Sequence, residues 1–81
     1  MLEQLRHGAK TIGLKQTARL VESDGAARVF IAQDADERVV GNLRESCAAK
    51  GIEVIRAESM KALGKACGIE VGAAVAALLK A

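Results

Sequence analysis

The chain has no proline, no tryptophan and no tyrosine, and one phenylalanine among its 81 residues. Proteins that grip single-stranded nucleic acid usually offer aromatic rings on which bases stack. Phe30, set inside an apolar run, makes no such platform. Enzymes that hold flat cofactors in cavities also draw on rings, so that class loses ground too. Histidine is equally scarce. His7 stands alone, and the two cysteines, Cys47 and Cys67, match neither a C-x-x-C pair nor a metal-ligand spacing. Too few soft ligands remain for a zinc site, and no Ser-His-Asp or Cys-His pairing offers a nucleophile. The thiols read as reduced and packed on helix faces, where free cysteine is commonly buried. No metal and no cofactor are expected. No basic-then-apolar leader opens the chain, and its longest apolar stretch, Val71 to Leu79, is too short to span a bilayer. The expectation is a cytoplasmic protein without membrane contact.

What is present describes a small α/β globule. Residues 1–81 suffice for a single domain, and a two-lobed enzyme with a deep cleft is excluded by size. Leu, Ile, Val and Phe make up about a quarter of the chain, above the range of disordered sequences. The net charge is +2, unevenly spread. Residues 1–20 hold four cations against one anion, and residues 21–40 hold two against five. Residues 41–60 balance, and the remainder holds three cations against one anion. Folding can bring both basic ends onto one face, or leave an ordinary solvated surface of mixed charge.

Periodicity sets the order of elements. Leu2, Leu5 and Ala9 predict an amphipathic helix over residues 2–10, broken by Thr11-Ile12-Gly13. A second helix begins at Leu14, with Leu14, Ala18 and Val21 on one face and Lys15, Gln16 and Arg19 on another. Ser23-Asp24-Gly25 is a stop. Val29-Phe30-Ile31-Ala32 reads as a strand buried on both faces. Asp34 or Asp36 caps the next helix, which turns Val39, Val40, Leu43 and Cys47 inward and ends at Gly51. Ile52 to Ile55 is a further strand, and Ser59 caps a helix bearing Met60, Leu63 and Cys67 that stops at Gly68. The tail is ambiguous, its alanines favouring helix and its valines strand. The alternation of helices and strands points to a three-layer α/β/α domain with a small mixed sheet.

Phosphate loops fail on inspection. Lys65 follows Gly64, but Ser59 stands where G-x-x-x-x-G-K needs glycine, and Ala66 replaces the magnesium-binding hydroxyl. Asp34, Asp36 and Glu37 form an acidic cluster, but at a helix start anions are favoured without any metal or acid-base role. The most suggestive polar group is Gly13-Leu14-Lys15-Gln16-Thr17-Ala18-Arg19. A helix starting at Leu14 points backbone N–H groups outward, and Gly13 leaves their approach clear. Lys15 and Arg19, one turn apart, can neutralise phosphates while the Gln16 amide reads a base edge. A plain solvated helix face accounts for the same residues.

Four segments together resemble a known family. They are Lys10 to Arg19, the run Val29-Phe30-Ile31-Ala32-Gln33-Asp34-Ala35-Asp36, then Gly51-Ile52-Glu53-Val54, and finally Ser59 to Val71 with its "S-x-x-x-L-G-x-A-x-G" pattern. In order and spacing they resemble the kink-turn RNA-binding ribosomal proteins, the L7Ae/L30e group, and especially its short bacterial members. That resemblance implies an α/β/α sandwich with a four-stranded mixed sheet, and it assigns Val75 to Lys80 to a strand. It implies a non-catalytic protein that recognises kink-turns, RNA duplexes bent sharply beside tandem sheared G·A pairs. By the same resemblance Gly13, Lys15, Gln16 and Arg19 face the groove at the G·A pairs. Ile69, Glu70 and Val71 meet the extruded nucleotides, and Lys61 joins the RNA-binding set. The chain departs from archaeal and eukaryotic members at the polar pair, with Lys15-Gln16 in place of Asn-Glu. The implied partner is structured RNA, ribosomal or other, rather than DNA, bound by a monomer. The alternative is a protein-interaction module of the same fold that has lost RNA binding.

Overall fold

The computed structural model describes residues 2–80. Along the chain run α1 (Gln4–His7), β1 (Lys10–Ile12), α2 (Leu14–Glu22), β2 (Ala26–Ala32), α3 (Glu37–Lys50), β3 (Glu53–Ala57), α4 (Met60–Ala66) and β4 (Val75–Leu79). The four strands form one mixed sheet in the order β1-β4-β2-β3, with β2 and β3 parallel and the other pairs antiparallel. Strand alternation sorts the core into two layers. Phe30 and Ala32 of β2 and Ala76 of β4 face Leu5 of α1 and Leu63, Ala66 and Cys67 at α4. Val29, Ile31, Val75 and Ala77 face Val21 of α2 and Val40, Leu43 and Cys47 of α3. The fold is the expected α/β/α sandwich.

The tail resolves as strand for a tertiary reason. β4 is central, bonded to β1 on one side and β2 on the other, so its backbone groups find partners that a helix there would not improve. Its Ala76 and Ala77 are fully buried, and their small side chains let both helical layers approach the sheet. Context here overrides the helix propensity of alanine.

Two expectations need correction. The N-terminal helix is a single turn, α1, and Lys10 and Thr11 belong instead to β1, where Lys10 sits opposite Leu78 and Ile12 opposite Ala76. Burial also sets Val39 apart from Val40, Leu43 and Cys47: it is 45% exposed, lining a groove between α2 and α3. In the Ser23-Asp24-Gly25 stop, the positive φ of 60° belongs to Asp24.

Caps on α3 behave as the sequence suggests. Asp36 accepts the Arg38 N–H at 2.9 Å, and Gly51 closes the helix at φ 70°. Gly41, inside α3, lacks such a reason. An added Cβ would meet only the Glu37 carboxylate, the far end of a flexible side chain, at 3.3 Å. Gly41→Ala is therefore expected to stabilise the protein by about 0.5–1 kcal/mol, read as a higher urea midpoint at unchanged slope. A lower midpoint would refute an unstrained helical glycine.

Candidate nucleic-acid interface

Strand register gathers the candidate residues at one end of the sheet. Ile12 pairs with Ala76, Ile31 with Val75 and Ala32 with Ala57, so β1, β2 and β3 finish where β4 begins. From that end spring the start of α2, the loop 33–36, the start of α4 and the loop 68–74 that leads into β4. The Gly13 N–H donates to the Val75 carbonyl at 3.0 Å, and the Ala32 N–H to the Ala74 carbonyl at 2.8 Å. These bonds stitch the α2 start, β2 and the β4 entry together.

α2 is oriented by its buried side. Thr17 is fully buried, its hydroxyl 2.9 Å from that of Thr11 on β1, and Val21 enters the core one turn later. Holding Thr17 inward turns Lys15, Gln16 and Arg19 to solvent. Gly13 occupies the N-cap at φ 98°, ψ 158°, a region essentially closed to other residues, and no side chain caps the first turn. Nothing lies within 4 Å of where its Cβ would be. Glycine is thus demanded by the backbone, and the space above the helix start is open.

Across the sheet end lies α4. The Ser59 hydroxyl accepts the Ala62 N–H at 3.0 Å, and the Asp34 carboxylate accepts the Met60 N–H at 2.7 Å. Asp34 therefore caps α4 rather than α3, tying the loop 33–36 to it. Lys61 is exposed on the first turn of α4. The Ile69 N–H reaches the Gly64 carbonyl at 3.0 Å, and the Ala73 N–H the Met60 carbonyl at 2.9 Å. The loop consequently lies flat on α4. A Cβ on Gly64 would sit on the Val71 carbonyl oxygen, and one on Gly72 would come within 3.2 Å of the Met60 Cβ. Glu70 is exposed and Val71 is 71% exposed, whereas Ile69 is half-buried and packs against the core. Of the two aliphatics, Val71 is the one presented to solvent.

Charge pairing divides the molecule. Arg28 pairs with Glu53, Arg38 with Asp36, Arg44 with Glu37 and Lys50 with Asp24. The Arg38 side chain and backbone bonds hold the Asp36 carboxyl below its ordinary value, and Lys50 does the same for Asp24. The acidic middle of the chain is thereby largely engaged with neighbouring arginines and lysine. Among the described residues, Lys15, Gln16, Arg19 and Lys61 form no side-chain hydrogen bond or ion pair within the protein. Burial raises the pKa of both Cys47 and Cys67, which keeps the thiols protonated and inert. Among the described residues no cluster of His, Cys, Asp or Glu could hold a metal ion, and no helix is long and apolar enough to cross a membrane.

Residues 2–81 match the model of the ribosomal protein L7Ae/L30e/S12e/Gadd45 family. The chain belongs to this family. It is 47% identical over 68 residues to the RNA-binding protein TTE2299 of Caldanaerobacter subterraneus, covering 84% of this chain and 83% of that one. It is 49% identical over 69 residues to the RNA-binding protein BH0128 of Halalkalibacterium halodurans, covering 85% and 84%. Its fold matches that of the Giardia lamblia 15.5kD RNA binding protein with a TM-score of 0.91 at 33% identity, over 99% of this chain and 71% of the other. Within the family frame, the structure adds roles that spacing did not assign. Thr17 orients α2, Asp34 caps α4, and Gly64 seats the loop. A threonine inside a polar-looking helix and a contact 26 residues away in sequence leave no periodic trace.

Proposed function

We propose that this L7Ae-family chain is a non-catalytic RNA-binding protein that recognises and stabilises kink-turns in ribosomal or other structured RNA. One observation carries the reading: an uncapped helix start with unpaired Lys15, Gln16 and Arg19 shares a sheet end with the loop bearing Glu70 and Val71. A bent duplex brings two phosphate backbones close together. Cations set on one helix stabilise that state over the extended one by binding it more tightly, and so shift the population toward the bend. The Gln16 amide offers both donor and acceptor to a guanine edge. Glu70 repels ordinary backbone while remaining able to accept from an extruded base, which discriminates against plain duplex. Lys61 adds charge from the opposite helical layer. Shape recognition of this kind needs no ring stacking, in keeping with the missing aromatics.

A gel-shift with a kink-turn and with a variant whose sheared G·A pairs are replaced by Watson–Crick pairs tests the reading. Strong preference for the kink-turn is expected; equal binding of both RNAs would overturn kink-turn recognition, and absent binding of both would favour a protein-interaction module instead. Two substitutions sharpen it. Arg19→Ala is expected to shallow the dependence of log affinity on log salt by about one unit. An unchanged slope would remove Arg19 from the interface. Gln16→Ala is expected to weaken kink-turn binding by roughly 1–3 kcal/mol and to leave binding to simple duplex almost untouched. Equal losses on both RNAs would mean that Gln16 reads no base.

A further inference from the structure

A second cleft opens beside the same sheet end, on the α3 side. It encloses about 360 Å³ between the C-terminal ends of the parallel strands β2 and β3 and the first turns of α3. Its lining includes Ile31, Gln33, Glu37, Arg44, Val54 and Arg56. Two features of that lining are unusual. First, Arg56 stands two residues after Val54 and opposite Ile31 in the register, so strand alternation aims it at the face where Val54 and Ile31 meet the α3 core. Arg56 is itself exposed, so its charge stands on the open rim of that face beside half-buried Val54. Second, the polar groups are donors in excess. The Arg44 guanidinium gives one bond to Glu37 at 3.2 Å and makes no other side-chain hydrogen bond among the described residues. The Arg56 guanidinium and the Gln33 side-chain amide make no hydrogen bond there either. Against these donors stands one carboxylate, Glu37, already engaged by Arg44.

We infer that Arg56 and Arg44, with the Gln33 amide, form a second binding site for a phosphate group, filled by the backbone of the RNA held at α2. The donor-rich, acceptor-poor lining asks for an anion with several acceptor oxygens, and guanidinium groups match phosphate oxygens in geometry. Gln33 opens the loop 33–36, whose Asp34 caps α4, so the cleft and the first site lie at the same end of the sheet. An RNA lying across the sheet end reaches both. The inference rests on the RNA-binding reading for the source of the phosphate, and the chemistry of the cleft carries the rest. A competing account is that Arg56 merely guards β3, an edge strand, since inward-pointing charges discourage edge-to-edge pairing.

The test observes the arginine Nε–Hε resonances of the full chain by NMR while adenosine monophosphate or a kink-turn RNA is added. The expected result is that the RNA shifts Arg44 and Arg56 together with Arg19, while adenosine monophosphate at the same concentration moves none of them. Shifts of Arg44 and Arg56 with the free nucleotide alone would keep a phosphate site but overturn its RNA source. Shifts of Arg19 alone with RNA would overturn the second site and leave the proposed function standing. No shift with either would overturn the second site and count against RNA binding as well. Arg56→Gln supplies an independent readout. Its salt slope should fall by about 0.7–0.9 of a unit and its affinity at low salt by about threefold to tenfold, with kink-turn preference retained. A variant that self-associates yet keeps the wild-type slope would establish the edge guard and overturn the site.

Discussion

Gly64→Ala is expected to lower the unfolding free energy by about 1–3 kcal/mol, the range for overpacking a close contact. Gly64 is buried in α4, and its added Cβ would lie well inside van der Waals contact of the Val71 carbonyl oxygen. The obstacle is backbone, so no side-chain rotation relieves it. Two hydrogen bonds hold that backbone in place, from the Ile69 N–H to the Gly64 carbonyl and from the Ala73 N–H to the Met60 carbonyl. Either they stretch, or the loop lifts off α4 and carries Glu70 and Val71 with it. Kink-turn affinity should then drop about tenfold even at temperatures where the variant is folded, a loss of roughly 1.4 kcal/mol. Lys65→Ala, an exposed neighbour on the same helix, serves as the control and should change stability little. Urea denaturation with a gel-shift at low temperature checks both effects. A wild-type midpoint in Gly64→Ala would mean that the loop does not rest on α4 as described.

Gly64 also illustrates what a sequence conceals. Its spacing with Gly68 and Gly72 is visible, but the reason for glycine lies in a chain segment that meets it only after folding. Features set by local periodicity or capping were legible: the polar face of α2, the Asp36 and Ser59 caps, the αL glycine at the end of α3, and the buried run in β2. Those set by distant partners were not. β1 has three residues, too few for alternation to register, and exists because β4 offers it a paired edge. β4 is ambiguous from its own residues, alanines favouring helix and valines strand, and only the family resemblance assigns it to a strand until its two strand neighbours are known. Asp34 and Asp36 look interchangeable as caps, and only the fold assigns one to α4 and the other to α3. The candidate RNA residues were named largely through the family resemblance. What the structure contributes is their placement on one sheet end and the pairing that leaves their charges unspent.

That placement makes Gly13 the most exacting position in the candidate interface. Gly13→Ala is expected to destabilise the protein by about 1–3 kcal/mol, because φ 98° with ψ 158° is a conformation that essentially only glycine holds. Beyond its two chain neighbours no atom lies within 4 Å of the added Cβ, so collision with the rest of the protein contributes nothing to that cost. The same open space is where the proposed RNA approaches the first N–H groups of α2. A methyl group there obstructs the approach, and a backbone that relaxes to negative φ swings Lys15 and Gln16 off their groove. Kink-turn affinity should consequently fall by at least about tenfold, or roughly 1.4 kcal/mol. Gly51→Ala separates the two effects. Gly51 also has positive φ, 70°, with nothing near its Cβ, but it ends α3 at the start of the segment leading into β3, at the opposite end of the sheet from α2's first turn. It should lose about 1–2 kcal/mol of stability and keep full RNA affinity. Thermal melts and binding isotherms on the pair decide the matter. If Gly13→Ala and Gly51→Ala lose stability alike and both bind kink-turn RNA as the wild type does, the start of α2 does not touch the RNA.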